Sequence, residues 1–351
     1  MNSSSQTILD AVIKKASALC PDSLALVGVY GSVATKDEHE KSDLDLLVLI
    51  NDERGRILSD CFILSGMGVA YDIYCTSWQM LEDDAECNHA HLSRLLDSQI
   101  VFCKDARAKE HLAQIQGRAI SLLASDARFD KSRNALDNAK KFFAQACLSR
   151  NLAEVREASG MAIEFVQNAL MLYNGRYFKK GTKRAFEELS ALNLPFDIAQ
   201  SVLDVISATR VGKIRRNLKN LIACACDYLR FPGEKTPVTA VSLAGTYEEM
   251  WSNWKNKMRE AAARGDVWSS FMNLLSLRLM LREVWGGTSH EDFGCGIMAR
   301  FWPENLSGNA DEFDRALENH LALCIRAGLS PRIFKDADDF ARDYCKEIPE
   351  V

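Results

Sequence analysis

VYGSVATKDEHEKSDLDLLVLI, residues Val29 to Ile50, is the stretch on which the reading of the chain turns. A Gly31-Ser32 step stands ahead of Asp43-Leu44-Asp45, and that acidic pair opens a run of Leu, Val and Ile. Successive side chains of a strand face opposite sides, so Asp43 and Asp45 share one face while Leu44 and Leu46 share the other. Two ionised carboxylates side by side repel, and they are costly to desolvate unless a cation lies between them. Oxygen donors of this kind suit Mg2+ or Mn2+, which complete their shell with water and substrate phosphate. Glycine after a strand lets the backbone come close to a ligand, and a helix starting at Ser32 would aim its free N–H groups at an anion. A phosphate cradle facing a carboxylate pair is what phosphoryl chemistry on a nucleoside triphosphate requires.

Outward from this stretch the pattern alternates between strand and helix. Apolar runs at Leu24 to Tyr30, Leu44 to Ile50 and Val69 to Cys75 predict strands, and Ile100 to Cys103 a last short one. Helices are expected at Gln6 to Leu19, Ser77 to Leu81 and His89 to Leu96. Asp72 is the only acidic residue in the strand-like VAYDIYC, so it is the expected third metal ligand and a candidate general base. Asp60 and the acidic Glu82 to Asp84 compete for that place and read as loop or helix-surface charges. A small mixed α/β domain over residues 1–105 results.

With Asp72 downstream, the order of hydrophobic residue, Gly31-Ser32, ten residues, then Asp43-Leu44-Asp45 and an apolar strand resembles the nucleotidyltransferase superfamily related to DNA polymerase beta. The resemblance implies a small α/β catalytic domain that transfers a nucleoside monophosphate from NTP to a hydroxyl. It assigns Gly31 and Ser32 to the triphosphate and Asp43, Asp45 and Asp72 to metal. A helical bundle after such a domain is similar to the antibiotic nucleotidyltransferases, which adenylylate aminoglycosides or lincosamides. That layout implies ATP as the NTP, a small acceptor, and an acidic residue of the helical domain that binds the drug's amines or acts as base. Glu164 is transferred to this role by its position along the bundle. The segment from residue 242 onward has no counterpart in the short members. A protein side chain or tRNA end as acceptor, and a non-catalytic NTP-binding module, are the alternatives. Intact carboxylates argue against the last.

Beyond residue 105 the pattern is helical, with expected helices at Ala106 to Ala124, Lys131 to Ser149, Leu152 to Leu172, Thr182 to Leu192, Ile198 to Thr209 and Val211 to Tyr228. The Pro/Gly-rich Phe231 to Thr239 predicts a boundary. The fold class is therefore α+β: a nucleotidyltransferase domain at 1–105, a helical bundle at 106–235 that binds substrate, and a C-terminal helical domain at 236–351. NGRYFKKGTKR, Asn174 to Arg184, joins aromatics to basic side chains. Its Lys179 and Lys183 are candidates for the NTP phosphates, with an RNA backbone or plain solvated surface as the other readings. Lys213, Arg215, Arg216 and Lys219 read as one face of a bundle helix. Trp251 and Trp254 read as sharing a buried helical face, and the histidines as structural or surface groups.

Composition narrows the class. Hydrophobic residues are 47% and charged residues 26% of 351, ordinary for a globular protein, and a net charge of −5 offers nucleic acid or anionic membrane no global attraction. No apolar stretch approaches the roughly 20 residues of a membrane span, and the start MNSSSQ lacks signal-peptide order, so a cytoplasmic protein is expected. The 11 cysteines are scattered without zinc spacing and read as reduced thiols.

Overall fold

Leu24–Tyr30 forms strand β1 between helix α1 (Ser3–Leu19) and the single turn α2 (Gly31–Ala34). These coordinates are a computed structural model that describes residues 3–35, 44–66, 68–180, 184–231, 238–286, 288–290 and 293–346. The segment after Ser32, expected as a longer helix, closes after that one turn. The Thr35 amide and hydroxyl both donate to the Gly31 carbonyl, each at 3.0 Å. Then come β2 (Asp45–Ile50), β3 (Asp60–Leu64), β4 (Val69–Ile73), β5 (Cys75–Ser77), α3 (Trp78–Ala85), the single turn α4 (Ser93–Leu96) and β6 (Gln99–Cys103).

A mixed sheet runs in the order β5-β2-β1-β6, with β1 antiparallel to both β2 and β6 and β2 parallel to β5. One face, with Leu46, Val48 and Ile50, packs on Ile8, Leu9, Val12 and Ala16 of α1. The other face carries Leu47 and Leu49 into the core of the helical bundle. A bulge between Leu24 and Leu26 shifts the alternation, so that Leu24 and Val27 share the α1 side. Full burial of each Leu contributes about 1.5–3 kcal/mol, which explains why β2 is apolar on both faces beyond Asp45.

Three expectations are corrected here. The run from Val69 to Cys75 is two strands, because the chain stops pairing with β3 at Ile73 and joins β2 from Cys75. β3 itself was unforeseen: only Phe62 and Leu64 of its side chains pack on the core, which leaves a weak period-two signal. His89 to Leu96 is helical only at α4, because the backbone of Ala90 is hydrogen-bonded to Asn168 and Phe178 instead of to its own turn.

Further helices among the described residues complete the sheet's surroundings and the second unit's frame. α5 (Ala106–Ala124), α6 (Ala127–Leu148), α7 (Leu152–Tyr173), α8 (Ala185–Ser190), α9 (Ile198–Ile206) and α10 (Val211–Tyr228) belong with the sheet to one compact unit, Met1–Pro232. Buried Ala135, Ala139 and Ala146 on α6 and Ala158, Ala162 and Ala169 on α7 suit close approach of these two helices. Arg215 of α10 donates to the Ala146 carbonyl at 2.9 Å, so this member of the basic set caps a helix end.

The second unit, Gly233–Val351, contains α11 (Ala240–Leu243), α12 (Thr246–Met250), α13 (Asn256–Arg264), α14 (Val267–Trp285), α15 (Leu306–Arg326) and α16 (Ala337–Tyr344). A π-helical turn at Trp251–Lys255 offsets the two tryptophans: Trp254 packs on the core while Trp251 is exposed, against the expectation of one buried face. Among the described residues no helix is long and apolar enough to cross a membrane. None of the 11 cysteines is in a disulfide.

Candidate active site

The C-terminal end of β1 lies across from the start of β2, with Tyr30 opposite Asp45. Gly31 follows at φ +66, a left-handed conformation, and a Cβ built there would come within 1.8 Å of Asp45 Oδ2. Both the backbone and the space demand glycine, because the Asp45 carboxylate occupies the place a side chain would take. Beside it the Ser32 hydroxyl is buried and has no hydrogen-bond partner among the described residues. Gln99, paired with Val29 at the start of β6, donates from Nε2 to the Ala34 carbonyl at 3.1 Å and ties the turn to the sheet. Asp43 and Lys183, both expected in the site, lie outside the described residues.

Asp72 is on β4, across from Cys61 of β3, whose thiol lies 3.2 Å from Asp72 Oδ1 as donor. Val69, Tyr71, Ile73 and Cys75 all face the α1 core, so the alternation turns Asp72 to the opposite side. On β2 the alternation likewise turns Asp45 away from the α1-facing Leu46 and Val48, although β4 pairs with β3 in a separate two-stranded sheet. The parallel β2–β5 ladder pairs Val48 with Cys75, and three residues before each of these stand Asp45 and Asp72. Asp72 is exposed, and among the described residues no group of three or more His, Cys, Asp or Glu side chains is arranged to hold a metal.

Glu164, on α7, is not an isolated carboxylate. His91 Nε2 lies 2.6 Å from its Oε1, and the Asn168 side-chain amide donates to the same oxygen at 2.9 Å. The hydrogen bond from His91 holds Glu164 below the ordinary carboxylate range, against the opposing effect of burial. Asn168 also accepts the Ala90 amide at 2.5 Å, and the Ala90 carbonyl accepts the Phe178 amide at 2.8 Å. His91 stacks on the Phe178 ring, with centroids 5.0 Å apart.

The loop bearing His91 was expected as the start of a helix over His89 to Leu96, and its histidines as structural or surface groups, since two histidines two residues apart match no metal spacing. The only local signal was polarity between apolar elements. Asp84, read as a surface charge, is buried. Burial pushes its carboxyl up, but hydrogen bonds from His89 and Arg94 outweigh this and bring it below the ordinary range.

The basic tract is anchored at the same sheet end. Tyr177 donates to Asp97 Oδ1 at 2.9 Å, and Lys179 Nζ lies 5.2 Å from the centre of the Tyr177 ring. Asp97 precedes Gln99 by two residues on the way into β6, so the tract and the Gly31 turn flank the start of one strand. Burial pushes the Asp97 carboxyl up, opposed by Tyr177 and by the charge of Lys179.

Compared with known families, residues 9–111 match the model described as "Nucleotidyltransferase domain". The matched segment spans α1 through the sheet and the Gly31, Asp45 and Asp72 positions, consistent with the superfamily related to DNA polymerase beta. No curated protein matches the chain at significant similarity.

Proposed function

We propose, from the premise that residues 9–111 are a nucleotidyltransferase domain, that the chain moves a nucleoside monophosphate, AMP in the simplest case, from NTP to a hydroxyl of a small acceptor. The observation that carries this reading is the Asp45 carboxylate packed against left-handed Gly31, with the buried, unpartnered Ser32 hydroxyl beside it. A buried hydroxyl without a partner costs about 1–3 kcal/mol, so its persistence at a sheet end suits a group that meets a ligand.

Asp45 at the start of β2 and Asp72 on β4 supply the hard oxygen donors that fit Mg2+ or Mn2+, and Asp43 adds a third by sequence. Such an ion, when bound, lowers the pKa of an attacking hydroxyl and offsets the triphosphate's charge. The chain's own residues do the rest. Gly31 admits a phosphate close to the backbone, and the Ser32 hydroxyl donates to a phosphate oxygen. Lys179 supplies a positive charge from the helical side, and Lys183 extends the same tract. The acceptor oxygen bonds to the α-phosphorus as the α–β bridging bond breaks, and pyrophosphate leaves with the bonding pair. Glu164, paired with His91, stands on the helical wall, where the acceptor is to be met.

The test incubates the full chain and Mg2+ with each NTP, labelled at the α-phosphate, and a cell lysate. Label in a small product with release of pyrophosphate is expected, together with a raised melting temperature in Mg2+–NTP. Label in protein or tRNA would replace the small acceptor by a macromolecular one. No transfer and no thermal response to any NTP would overturn the reading.

A further inference from the structure

We infer that His91, and not Glu164, takes the proton from the acceptor hydroxyl, with Glu164 as the positioning residue that holds the imidazole. This rests on the nucleotidyltransferase reading and deepens it. The His91 ring is fixed from three directions. Nε2 faces Glu164 Oε1 at 2.6 Å, the ring stacks on Phe178, and the preceding amide is held by Asn168.

An imidazole nitrogen aimed at a carboxylate carries the hydrogen, so Nδ1 is left with its lone pair. Nδ1 has no partner among the described residues, and the side chain is 40% exposed. Glu164 is less suited to accept a proton. Its Oε1 already takes hydrogen bonds from both His91 and Asn168. Among the described residues the charged or titratable groups nearby include His89, whose ring centre is 6.3 Å away, Asp84, which is held by His89 and Arg94, and Lys179, next to Phe178 in the chain.

Position supports the role. Phe178, under the His91 ring, is flanked by Tyr177, which donates to Asp97 where the chain enters β6 beside the Gly31 turn, and by Lys179, whose ammonium lies over the Tyr177 ring. The exposed edge of His91 and the nucleotide end of the sheet therefore border the same three-residue segment. In the step, the acceptor oxygen forms its bond to the α-phosphorus and the α–β bridging P–O bond breaks. Pyrophosphate leaves with that electron pair, while the hydroxyl proton passes to Nδ1. The resulting imidazolium is held by the Glu164 carboxylate.

The test applies the labelled-transfer assay, with lysate as the acceptor pool, to wild type, His91→Ala, His91→Asn and Glu164→Gln. Each variant is also melted with Mg2+–ATP to report nucleotide binding. Transfer should fall about 100-fold or more in both His91 variants while the thermal response to Mg2+–ATP persists. Added imidazole should restore part of the activity of His91→Ala. Glu164→Gln should lose about tenfold, with no rescue by imidazole. Transfer by His91→Ala within twofold of wild type overturns this inference alone. So does a Glu164→Gln enzyme more impaired than His91→Ala. Wild type that transfers no label overturns the nucleotidyltransferase reading, and this inference with it.

Discussion

Around His320, in the second unit, each ring nitrogen has a partner, whereas around Gly31, in the first, a buried hydroxyl has none. Trp285 Nε1 donates to His320 Nδ1 at 3.0 Å, and Nε2 lies 2.9 Å from the Thr246 hydroxyl, which itself donates to the Leu243 carbonyl at 2.8 Å. The Thr246 hydrogen being engaged, Nε2 must carry the imidazole proton, so the ring is neutral with its tautomer fixed. At the Gly31 end the Ser32 hydroxyl is buried without a partner, and one Asp97 carboxylate oxygen and His89 Nδ1 are in the same condition further along the tract and loop. The first arrangement is saturated and serves stability. The second is shaped by a strand ladder and a glycine and leaves polar atoms for something else to satisfy.

The largest effect is expected at Asp45. Asp45→Asn should lower nucleotidyl transfer on the order of 10^3-fold while the melting temperature stays level or rises, since a like-charge repulsion with Asp43 is relieved. Transfer of α-label and a thermal melt measure the two halves. A variant that unfolds would move Asp45 into the same class as His320.

Acid should act on the second unit. Burial pushes His320 down from 6.5 to about 4. The folded value lies below the unfolded one, so the stabilisation is fully present above pH 6.5 and is lost as pH falls toward 4. The difference amounts to about 3 kcal/mol. Tryptophan fluorescence melts between pH 7 and pH 4 should show this loss in wild type and a smaller one in His320→Gln. Equal slopes would mean that the neutral ring is not what acid disrupts.

Gly31→Ala is expected to cost about 2 kcal/mol, from the left-handed backbone and from displacement of Asp45. A lower melting temperature should accompany loss of the thermal response to Mg2+–ATP. A variant that keeps that response would show that the Asp45 position is not fixed by the glycine.

How much of this was legible in the sequence differs between the same two regions. β1 follows from its unbroken apolar run, since it is buried on both faces, and the helices Ala106–Ala124 and Val211–Tyr228 follow from apolar periodicity, because each buries a continuous stripe. Gly31, Ser32 and Asp45 were readable as a spacing, since a turn and a strand start are local events. The pairing of His91 with Glu164 was not, because it joins residues 73 positions apart and depends on Asn168 reaching Ala90 across the bundle. The His320 network was illegible for the same reason: Trp285, Thr246 and His320 meet only when three helices pack, and a single histidine on a helix carries no mark of being buried.

Removing one hydroxyl from each region sharpens the contrast with the smallest change. Thr246→Val leaves His320 Nε2 only the Cys324 sulfur, a weak acceptor 3.5 Å away, so stability should fall by about 1–2 kcal/mol, read as a lower melting temperature. Ser32→Ala deletes a hydroxyl that has no partner to abandon, so stability should hold or rise by up to about 1 kcal/mol. Its effect belongs to the nucleotide: titration of Mg2+–ATP should show affinity weaker by about tenfold, or ~1.4 kcal/mol. The two deletions thus predict stability changes that differ in sign for the same chemical edit. Should Ser32→Ala destabilise the fold as Thr246→Val does, and leave Mg2+–ATP affinity untouched, the Ser32 hydroxyl would be a structural group and the distinction between the two regions would fail at the residue nearest Gly31.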